Sequence, residues 1–283
     1  MCARKFCQNR RMSRSPMAAI PTDEIAVPPR VRELTAGRAL IPVWVNGLGA
    51  PTFRDPGPTN ASARYVKWTA AGTPEIDLAA EAERLGWAAA HGAIVPEVLD
   101  HGADGSGSWL ITAALDGESA VTPRWKADPE RAARSIGAGL RALHDRLPLD
   151  SCPYTWSVSD RILAFEERVA GGEGPESWDP AYHSLPVADA RALLTATPEI
   201  DLAVVCHGDA CAPNTLLDSE GRFAAHVDLG SLGVADRWAD LAVAAWSTEW
   251  NYGPGFEPLV YEGYGIDPDP ERIAYYRLLW DLS

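Results

Sequence analysis

Short runs rich in apolar residues occupy the first part of the chain, as expected of strands, and the run at 63–68 alternates and is rich in aromatic and β-branched residues. Such runs lie at residues 39–47, which end in a glycine-containing turn, at 52–55 and at 63–68. Two more apolar runs within residues 95–115 are separated by the turn-forming stretch ADGSG, which predicts a hairpin. Residues 73–92 begin with Thr-Pro and end at a glycine, so a helix is predicted there. This part of the chain is therefore expected to form three strands, one helix and two further strands.

The spacing of apolar residues lengthens to three and four positions after residue 119, which is typical of helices with one buried face. Helices are predicted at residues 128–147, 158–172 and 186–196, and again over most of the chain from Asp236 onwards. The second part of the chain is therefore expected to be mainly helical.

Two lobes within an α+β fold follow from this change of period. Residues 21–115 are expected to form a small five-stranded antiparallel β lobe with one helix, and residues 116–283 a larger, mainly helical lobe. Residues 1–20 form a basic tail that we expect to be disordered. No apolar segment follows its arginines, so it does not have the pattern of a secretory signal.

Composition narrows the classes of partner. The formal net charge of −14 argues against nucleic acid and favours a small cationic substrate. No apolar run approaches the ~20 residues of a membrane helix, so no membrane association is expected. The five cysteines are an odd number without paired spacing, which favours reduced thiols in the cytoplasm. Zinc bound by Cys206, His207, Cys211 and His226 is a further hypothesis, although their spacing matches no common zinc pattern.

The segment VVCHGDACAPNTLLDSEGRFAAHVDLG, residues 204–230, is apolar at both ends but carries many polar side chains between them. Its pattern predicts a buried strand, a loop and a hairpin, and the two ends of that hairpin bring Asn214 and Asp228 together. An amide oxygen beside a carboxylate suits Mg²⁺. Asp209, on the same edge, is expected to face the substrate, so the three residues predict a phosphoryl-transfer site.

The motif H-G-D-x-x-x-x-N, followed by a hairpin and V-D-L-G, resembles the catalytic and metal-binding loops of the aminoglycoside phosphotransferases, which are relatives of protein kinases. The stretch DLGSLGVADRWADLA (228–242) resembles that family's continuation of the motif, and the likeness extends from about residue 39 to the last residue. It implies a bilobal protein-kinase-like fold and transfer of phosphate from ATP (or GTP) with Mg²⁺. It also implies that Asp209 is the catalytic residue and that Asn214 and Asp228 bind the metal.

The nucleotide-binding residues are assigned from the same resemblance. Lys67, in the predicted third strand, takes the place of the lysine that holds the nucleotide phosphates. Glu81 is its expected partner because the family's glutamate precedes a tryptophan by six positions, and Glu83 would point to another side of the helix. The remaining positions belong to the phosphate-covering turn and to the hinge that reads adenine: Gly47, Gly49, Ala113 and Leu115.

The resemblance suggests the 3′-hydroxyl of an aminoglycoside as the acceptor. Carboxylates that could bind a polyamine lie on the predicted helix at 158–172: Asp160, Glu166 and Glu167. The resemblance further implies that the last helix and its carboxylate contact the drug, and Asp281 and the Ser283 carboxylate take those places here. The chain departs from the family where Ser231 replaces an arginine, and where YYRLLWDLS replaces the usual acid pair followed by an aromatic residue.

Other functions stay open from the sequence. The acceptor could be another hydroxylated amine, amino sugar or antibiotic. The chain could also be a non-catalytic nucleotide-binding module on the same fold, or a zinc hydrolase. The oligomeric state is not predicted.

Overall fold

A computed structural model of the chain describes residues 18, 19, 21, 24–58, 62–74 and 76–283. The described residues divide into two compact units: those up to residue 79 together with 98–114 form unit 1, and residues 80–97 with 115–283 form unit 2. We expected residues 80–97 in the first lobe. They belong to unit 2 because Arg84 donates to the backbone oxygen of Leu232 (3.0 Å) and Trp87 packs edge-on against Tyr154.

Unit 1 is built on a six-stranded antiparallel sheet of order β1-β2-β3-β4-β6-β5. The strands are β1 (Ala18–Ala19), β2 (Ile41–Asn46), β3 (Pro51–Asp55), β4 (Arg64–Ala70), β5 (Val98–Asp104) and β6 (Gly107–Ala113). The five predicted strands are confirmed, and β1 is an addition that pairs with the backbone of β2. Residues 1–17 and 20 of the predicted disordered tail lie outside the described residues, whereas residues 18 and 19 are strand.

Unit 1 also contains the helix α1 (Pro29–Leu34) and the first residues of the helix α2 (Leu78–Ala90). α1 was not predicted; its Val31 is fully buried with Phe53, Val66, Trp109 and other residues of the sheet. α2 begins in unit 1 but continues into unit 2. It starts five residues later than predicted, because the Thr73 hydroxyl donates to Ala70 in a turn after β4.

Asp55 is a fully buried carboxylate in β3. It accepts hydrogen bonds from the guanidinium groups of Arg38 (2.7 Å) and Arg64 (2.9 Å) and from the amide of Gly57 (3.0 Å). The hydrogen bond from Arg38 outweighs burial and, with the other partners, holds the pKa of the Asp55 carboxyl well below its usual range. Asp55 is therefore ionised in the folded protein, binds Arg64 of the neighbouring strand and ties the segment that carries Arg38 to the sheet.

Replacement of Asp55 by asparagine is expected to reduce the free energy of unfolding by about 2 kcal/mol at pH 7, since a charged acceptor for two arginines is lost. Because the folded-state pKa is depressed, this stabilisation is present above the unfolded pKa of about 4 and is lost as the pH falls below it. Urea unfolding should show that wild type and Asp55→Asn differ less in their free energy of unfolding at pH 3 than at pH 7. Glu33→Gln, at an exposed ion pair with Arg30, is the control and should change stability by less than about 0.5 kcal/mol.

Unit 2 is mainly helical. Its helices are the rest of α2 and α3 (Pro123–Lys126), α4 (Pro129–Arg146), α5 (Val158–Ala170), α6 (Val187–Thr195), α7 (Trp238–Tyr252), α8 (Glu257–Tyr264) and α9 (Pro270–Leu282). The predicted helices at 128–147, 158–172 and 186–196 are confirmed as α4, α5 and α6. Asp128 caps α4 by accepting from the amide of Arg131.

Two small sheets lie among these helices. One has the order β10-β9-β7 and the other pairs β11 with β8. Their strands are β7 (Glu118–Ser119), β8 (Ala203–Cys206), β9 (Thr215–Leu217), β10 (Phe223–His226) and β11 (Gly233–Asp236). The core of unit 2 joins these strands to α4, α7, α8 and α9 through residues such as Ile136, Leu217, Leu241 and Leu279. Among the described residues, no helix combines the length and apolarity that crossing a membrane requires.

Candidate active site

The strand β8 leads directly into the loop that carries Asp209. β11 pairs with it antiparallel, from Gly233 opposite Cys206 to Asp236 opposite Ala203. This pairing brings the segment just before β11 against the loop. Gly208 has φ +85°, and a Cβ on it would lie 2.2 Å from the backbone oxygen of Ser231, so only glycine fits.

The hairpin β9–β10 brings Asn214 and Asp228 together. Thr215 is opposite His226, and the amide of Val227 donates to the backbone oxygen of Asn214 (3.0 Å). The expectation that the two ends of this hairpin meet is therefore confirmed. Asp228, the next residue, has φ +65°, a backbone conformation that residues other than glycine rarely adopt. Backbone conformations of this kind recur at functional sites, where the rest of the fold supports them.

Asp209 and Asn214 are joined by two hydrogen bonds. The amide nitrogen Nδ2 of Asn214 donates to the backbone oxygen of Asp209 (2.9 Å) and to its Oδ2 (3.1 Å). With Nδ2 engaged, Oδ1 is the atom of Asn214 that could coordinate a cation. Asn214 thus contacts Asp209 through its side chain and the residue before Asp228 through its backbone, which brings the three predicted residues together.

The Asp209 carboxyl is half-buried and has a pKa above its usual value. Burial is the main cause and the negative charge of Asp228 the second; His207, the thiol of Cys211 and Asn214 act in the opposite direction. Two acids at one edge repel each other, and a divalent cation would relieve that repulsion.

His207 is a scaffold for this loop. It is fully buried, its Nε2 donates to the backbone oxygen of Val227 (3.0 Å), and its Nδ1 accepts from the amide of Asp209 (3.3 Å). These partners assign the proton of the neutral ring to Nε2. His207 thus ties the segment before Asp228 to the loop that carries Asp209.

Asp240, on α7, is the buried anchor of the same loop. Its carboxylate accepts from the backbone amides of His207 (2.6 Å) and Gly208 (2.9 Å), and from Nε2 of His144 (3.0 Å). Burial alone would raise the pKa of Asp240, but the hydrogen bond and charge of His144 and the loop groups outweigh it, so its pKa lies below the usual value. Asp240 is therefore a structural residue of the loop, and no sequence pattern pointed to the part played by His144.

The zinc hypothesis for Cys206, His207, Cys211 and His226 receives no support, because among the described residues these four side chains do not gather as a set of ligands. In the described part of the chain, the side chains of His144, Cys206 and Asp240 bring potential ligand atoms within 4.8 Å of one another. Both nitrogens of His144 are engaged, with Asp240 and with the Tyr264 hydroxyl (2.9 Å), and Cys206 Sγ donates to the backbone oxygen of Asp236. Burial raises the pKa of Cys206 well above its usual value, so its thiol is neutral. The cluster is a hydrogen-bond network of the core.

The predicted lysine and its predicted partner lie in different units. In unit 1, Lys67 is a half-buried residue of β4, opposite Thr52 of β3 and Leu110 of β6. In unit 2, Glu81 is only 4% exposed, which is rare for a carboxylate, and a Cβ on Gly230 would lie 3.8 Å from the Cβ of Glu81. Glu81 therefore borders the loop that contains Asp228. Glu83 is exposed, as the helical spacing predicted.

Gly47 and Gly49 form the turn between β2 and β3. The side chain of Asn46 accepts from the amides of Leu48 (3.0 Å) and Ala50 (2.9 Å), and its backbone oxygen accepts from Gly49. These amides are used within the turn, so contact with a phosphate would require them to exchange partners. The predicted hinge residues lie where the chain leaves unit 1: Ala113 is the last residue of β6, and Leu115 is the first residue of unit 2 after it.

The acids predicted on α5 differ in their surroundings. Asp160 is exposed and accepts from the hydroxyls of Ser157 (2.7 Å) and Thr155 (3.1 Å). Glu166 is paired with Arg191 (2.5 Å), whereas Glu167 is exposed. Asp160 and Glu166 thus have side-chain partners, whereas no described contact of Glu167 would compete with a cationic substrate for its carboxylate.

The acids predicted at the end of the chain are engaged inside unit 2. Asp281 is 3% exposed and accepts from the amide of Asp179 (2.7 Å). The Ser283 backbone oxygen accepts from Arg168 (2.8 Å), and its hydroxyl accepts from Arg161 (3.1 Å). The helix α9 therefore directs its last acid inward, which the sequence pattern did not show.

Comparison with known proteins places this geometry in a family. Residues 58–276 match the model described as the phosphotransferase enzyme family. The chain is 37% identical over 216 residues to an aminoglycoside 3′-phosphotransferase from Streptomyces fradiae, covering 72% of this chain and 79% of that protein. It is 35% identical over 250 residues to the streptomycin 3″-kinase of Streptomyces griseus, covering 83% and 89%.

Solved structures agree with the sequence matches. The aminoglycoside phosphotransferase APH(3″)-Id from Streptomyces rimosus superposes with a TM-score of 0.73 at 28% identity, covering 89% of this chain and 95% of that chain. An aminoglycoside 3′-phosphotransferase of type VIII gives a TM-score of 0.70 at 30% identity, covering 84% and 90%. The predicted α+β, protein-kinase-like fold is thereby confirmed. The chain belongs to the aminoglycoside phosphotransferase family and is a phosphotransferase that uses an alcohol group as acceptor.

Proposed function

We propose that the protein is an ATP- and Mg²⁺-dependent kinase that phosphorylates a hydroxyl group of an aminoglycoside-type substrate. The observation that carries the proposal is the joining of Asp209 to Asn214 by two hydrogen bonds, with Asp228 beside them through the Val227–Asn214 contact. The relatives support the acceptor class, and one solved structure of the Streptomyces rimosus enzyme contains ADP and streptomycin.

Asn214 and Asp228 are the residues that would hold Mg²⁺. An amide Oδ1 and a carboxylate are hard oxygen ligands, and Mg²⁺ typically takes a few protein ligands while keeping positions for water and phosphate. The unusual backbone of Asp228 (φ +65°) fits a side chain that the fold aims at one place. When bound, the ion would neutralise charge on the nucleotide phosphates.

We assign to Asp209 the role of orienting the acceptor hydroxyl. Its carboxylate would accept a hydrogen bond from the substrate hydroxyl and direct the oxygen at the γ-phosphorus. The new O–P bond forms as the bond between the γ-phosphorus and the β-phosphate oxygen breaks, so ADP leaves and the hydroxyl proton passes to Asp209. Asn214 restrains the carboxylate during this step through Nδ2.

We assign to Lys67 the binding of the nucleotide phosphates, and Glu81 remains its predicted partner. A half-buried lysine in the middle of a strand is otherwise a poor choice, because lysine is depleted from strands. Such an enzyme works where ATP is supplied, so we place it in the cytoplasm.

The test is ADP release measured with a panel of aminoglycosides and other hydroxylated amines. We expect turnover with an aminoglycoside in the presence of MgATP and none when EDTA removes the metal. Asp228→Asn should lower kcat/KM by at least about 100-fold, since charge stabilisation at the phosphates is lost. Asp218→Asn, in the same hairpin but paired with Arg222 at its exposed turn, is the matched control and should stay within twofold.

Three results would contradict the proposal. Turnover that persists in EDTA would exclude the metal site. Turnover of another amine with no aminoglycoside accepted would keep the chemistry and change the substrate class. MgATP binding without transfer to any alcohol, unchanged in Asp209→Asn, would identify a non-catalytic nucleotide-binding module.

A further inference from the structure

Three tryptophans from two helices of unit 2 form an aromatic group that we call the indole cluster: Trp246 and Trp250 of α7 and Trp280 of α9. The ring centroids of Trp246 and Trp250 are 4.7 Å apart, and those of Trp250 and Trp280 are 5.7 Å apart with an interplanar angle of 28°. Trp280 also meets Trp246 edge-on at 6.2 Å. Each ring therefore supports the other two, which fixes their orientation.

The indole cluster lies on the helix that touches the proposed catalytic loop. The Ser247 hydroxyl of α7 accepts from the amide of Ala212 (2.8 Å), two residues before Asn214. Trp246 is the neighbour of Ser247, and Trp250 is three residues further, about 5–6 Å away along the same side of the helix. The aromatic rings thus begin within one helical turn of the loop.

Trp250 is the most exposed of the three indoles. It is 37% exposed, whereas Trp246 is 7% exposed and Trp280 half-buried. Trp246 already has a cation near its face, the guanidinium of Arg277 at 5.7 Å from the ring centroid. Arg277 is itself held by Glu257 and by the backbone oxygen of Ala242, so it does not reach Trp250 as a free group.

The carboxylate that the sequence predicted for substrate binding at this end of α9, that of Asp281, is not exposed beside the indole cluster. Asp281 points inward to the amide of Asp179, so the residue that α9 contributes beside Trp250 is the indole of Trp280. The exposed Glu249, next to Trp250 on α7, adds negative charge to a protein whose net charge is −14. A cationic ring is therefore attracted to this surface and meets an aromatic face there.

We propose that the exposed face of Trp250, backed by Trp280, is a platform on which a cationic ring of the acceptor substrate stacks. The occupant is a ring bearing ammonium or guanidinium groups. Tryptophan is the best aromatic partner for such cations, and a planar guanidinium can also lie flat on the indole. This inference rests on the proposed function, because it places the platform in the acceptor subsite of that kinase.

Binding without turnover is the experiment that tests the platform by itself. The dissociation constant of streptomycin, whose cyclitol bears guanidinium groups, is measured by calorimetry for wild type, Trp250→Leu and Trp250→Phe. Trp250→Leu keeps apolar volume but loses the aromatic face, and we expect about tenfold weaker binding; Trp250→Phe keeps a ring and should lose less than about threefold. KM for ATP should be unchanged in both variants, since the nucleotide does not use this ring.

Leu193→Ala, which truncates another exposed apolar residue on α6, is the matched control and should bind as wild type does. Trp250→Leu binding within twofold of wild type would overturn the platform, whatever the turnover. Streptomycin bound tightly by wild type, weakly by Trp250→Leu, but never phosphorylated, would reject streptomycin as acceptor and keep the platform. No binding of streptomycin or of an ammonium-bearing aminoglycoside to wild type would overturn the platform. Melting temperatures of all variants identify any loss of binding that comes from unfolding.

Discussion

Asp209→Asn is expected to lower kcat about a thousandfold while the protein stays folded. Asparagine has nearly the same shape, and its side-chain oxygen can still accept from Nδ2 of Asn214, so the loop keeps its geometry. What is lost is the negative charge that orients the acceptor hydroxyl and takes its proton. Because the nucleotide phosphates are assigned to other residues, KM for ATP should change little.

Initial rates of ADP release, measured with saturating MgATP and acceptor, check this result. Asp145→Asn, at an exposed ion pair with Arg141 on α4, is the control and should keep full activity. A variant at position 209 that retains more than a tenth of wild-type kcat would exclude Asp209 as the group that orients the acceptor. Circular dichroism and the melting temperature establish that any loss is not caused by unfolding.

Asp240→Ala is expected to reduce the free energy of unfolding by about 3–5 kcal/mol and to reduce activity as well. The carboxylate is fully buried, and its removal leaves the amides of His207 and Gly208 and the ring of His144 without their acceptor. Since those amides begin the loop that carries Asp209, the loop would lose its fixed position. The stability loss comes from unsatisfied buried donors, and the activity loss from disorder of the loop.

Asp240→Asn separates the two effects, because asparagine keeps one acceptor oxygen and the side-chain volume. We expect it to fold well enough to assay, with a lower kcat and nearly unchanged KM values, as a positioning role requires. Urea unfolding measures the stability of both variants, and the exposed Asp189→Asn on α6 should match wild type. Stability of Asp240→Ala within 1 kcal/mol of wild type would show that the loop does not depend on this carboxylate.

Helix positions were predictable wherever the start and stop signals are local. α4 begins at Pro129 after the capping Asp128 because cap, first-turn proline and apolar stripe all lie within the helix itself. The helix predicted from residue 73 begins instead at Leu78, since the Thr73 hydroxyl is used by a turn after β4. The same residue types serve as helix caps and as turn formers, and only the surrounding chain decides between them.

The extra elements of unit 1 depend on distant residues. The two-residue strand β1 exists through its pairing with β2, and α1 through the burial of Val31 against the sheet. Neither has a local pattern strong enough to predict it.

By itself, the sequence determined the arrangement of Asp209, Asn214 and Asp228. A strand, a short loop and a hairpin connect them within about twenty residues, so local periodicity and turn geometry are enough to predict that they come together. The helical repeat also showed that Glu81 and Glu83 face different sides of α2, and the resemblance to the family selected Glu81, which is the buried one.

Only the tertiary structure decided what lies around those residues. His144 meets Asp240 across 96 positions, Trp280 stacks on Trp250 from another helix, and Asp281 turns inward to the amide of Asp179. Side-chain direction at such positions is set by how whole helices pack on one another, and that packing is a sum over many residues of the core. A local pattern shows that a residue is polar or aromatic, but the partner that it meets is fixed only when distant segments come together.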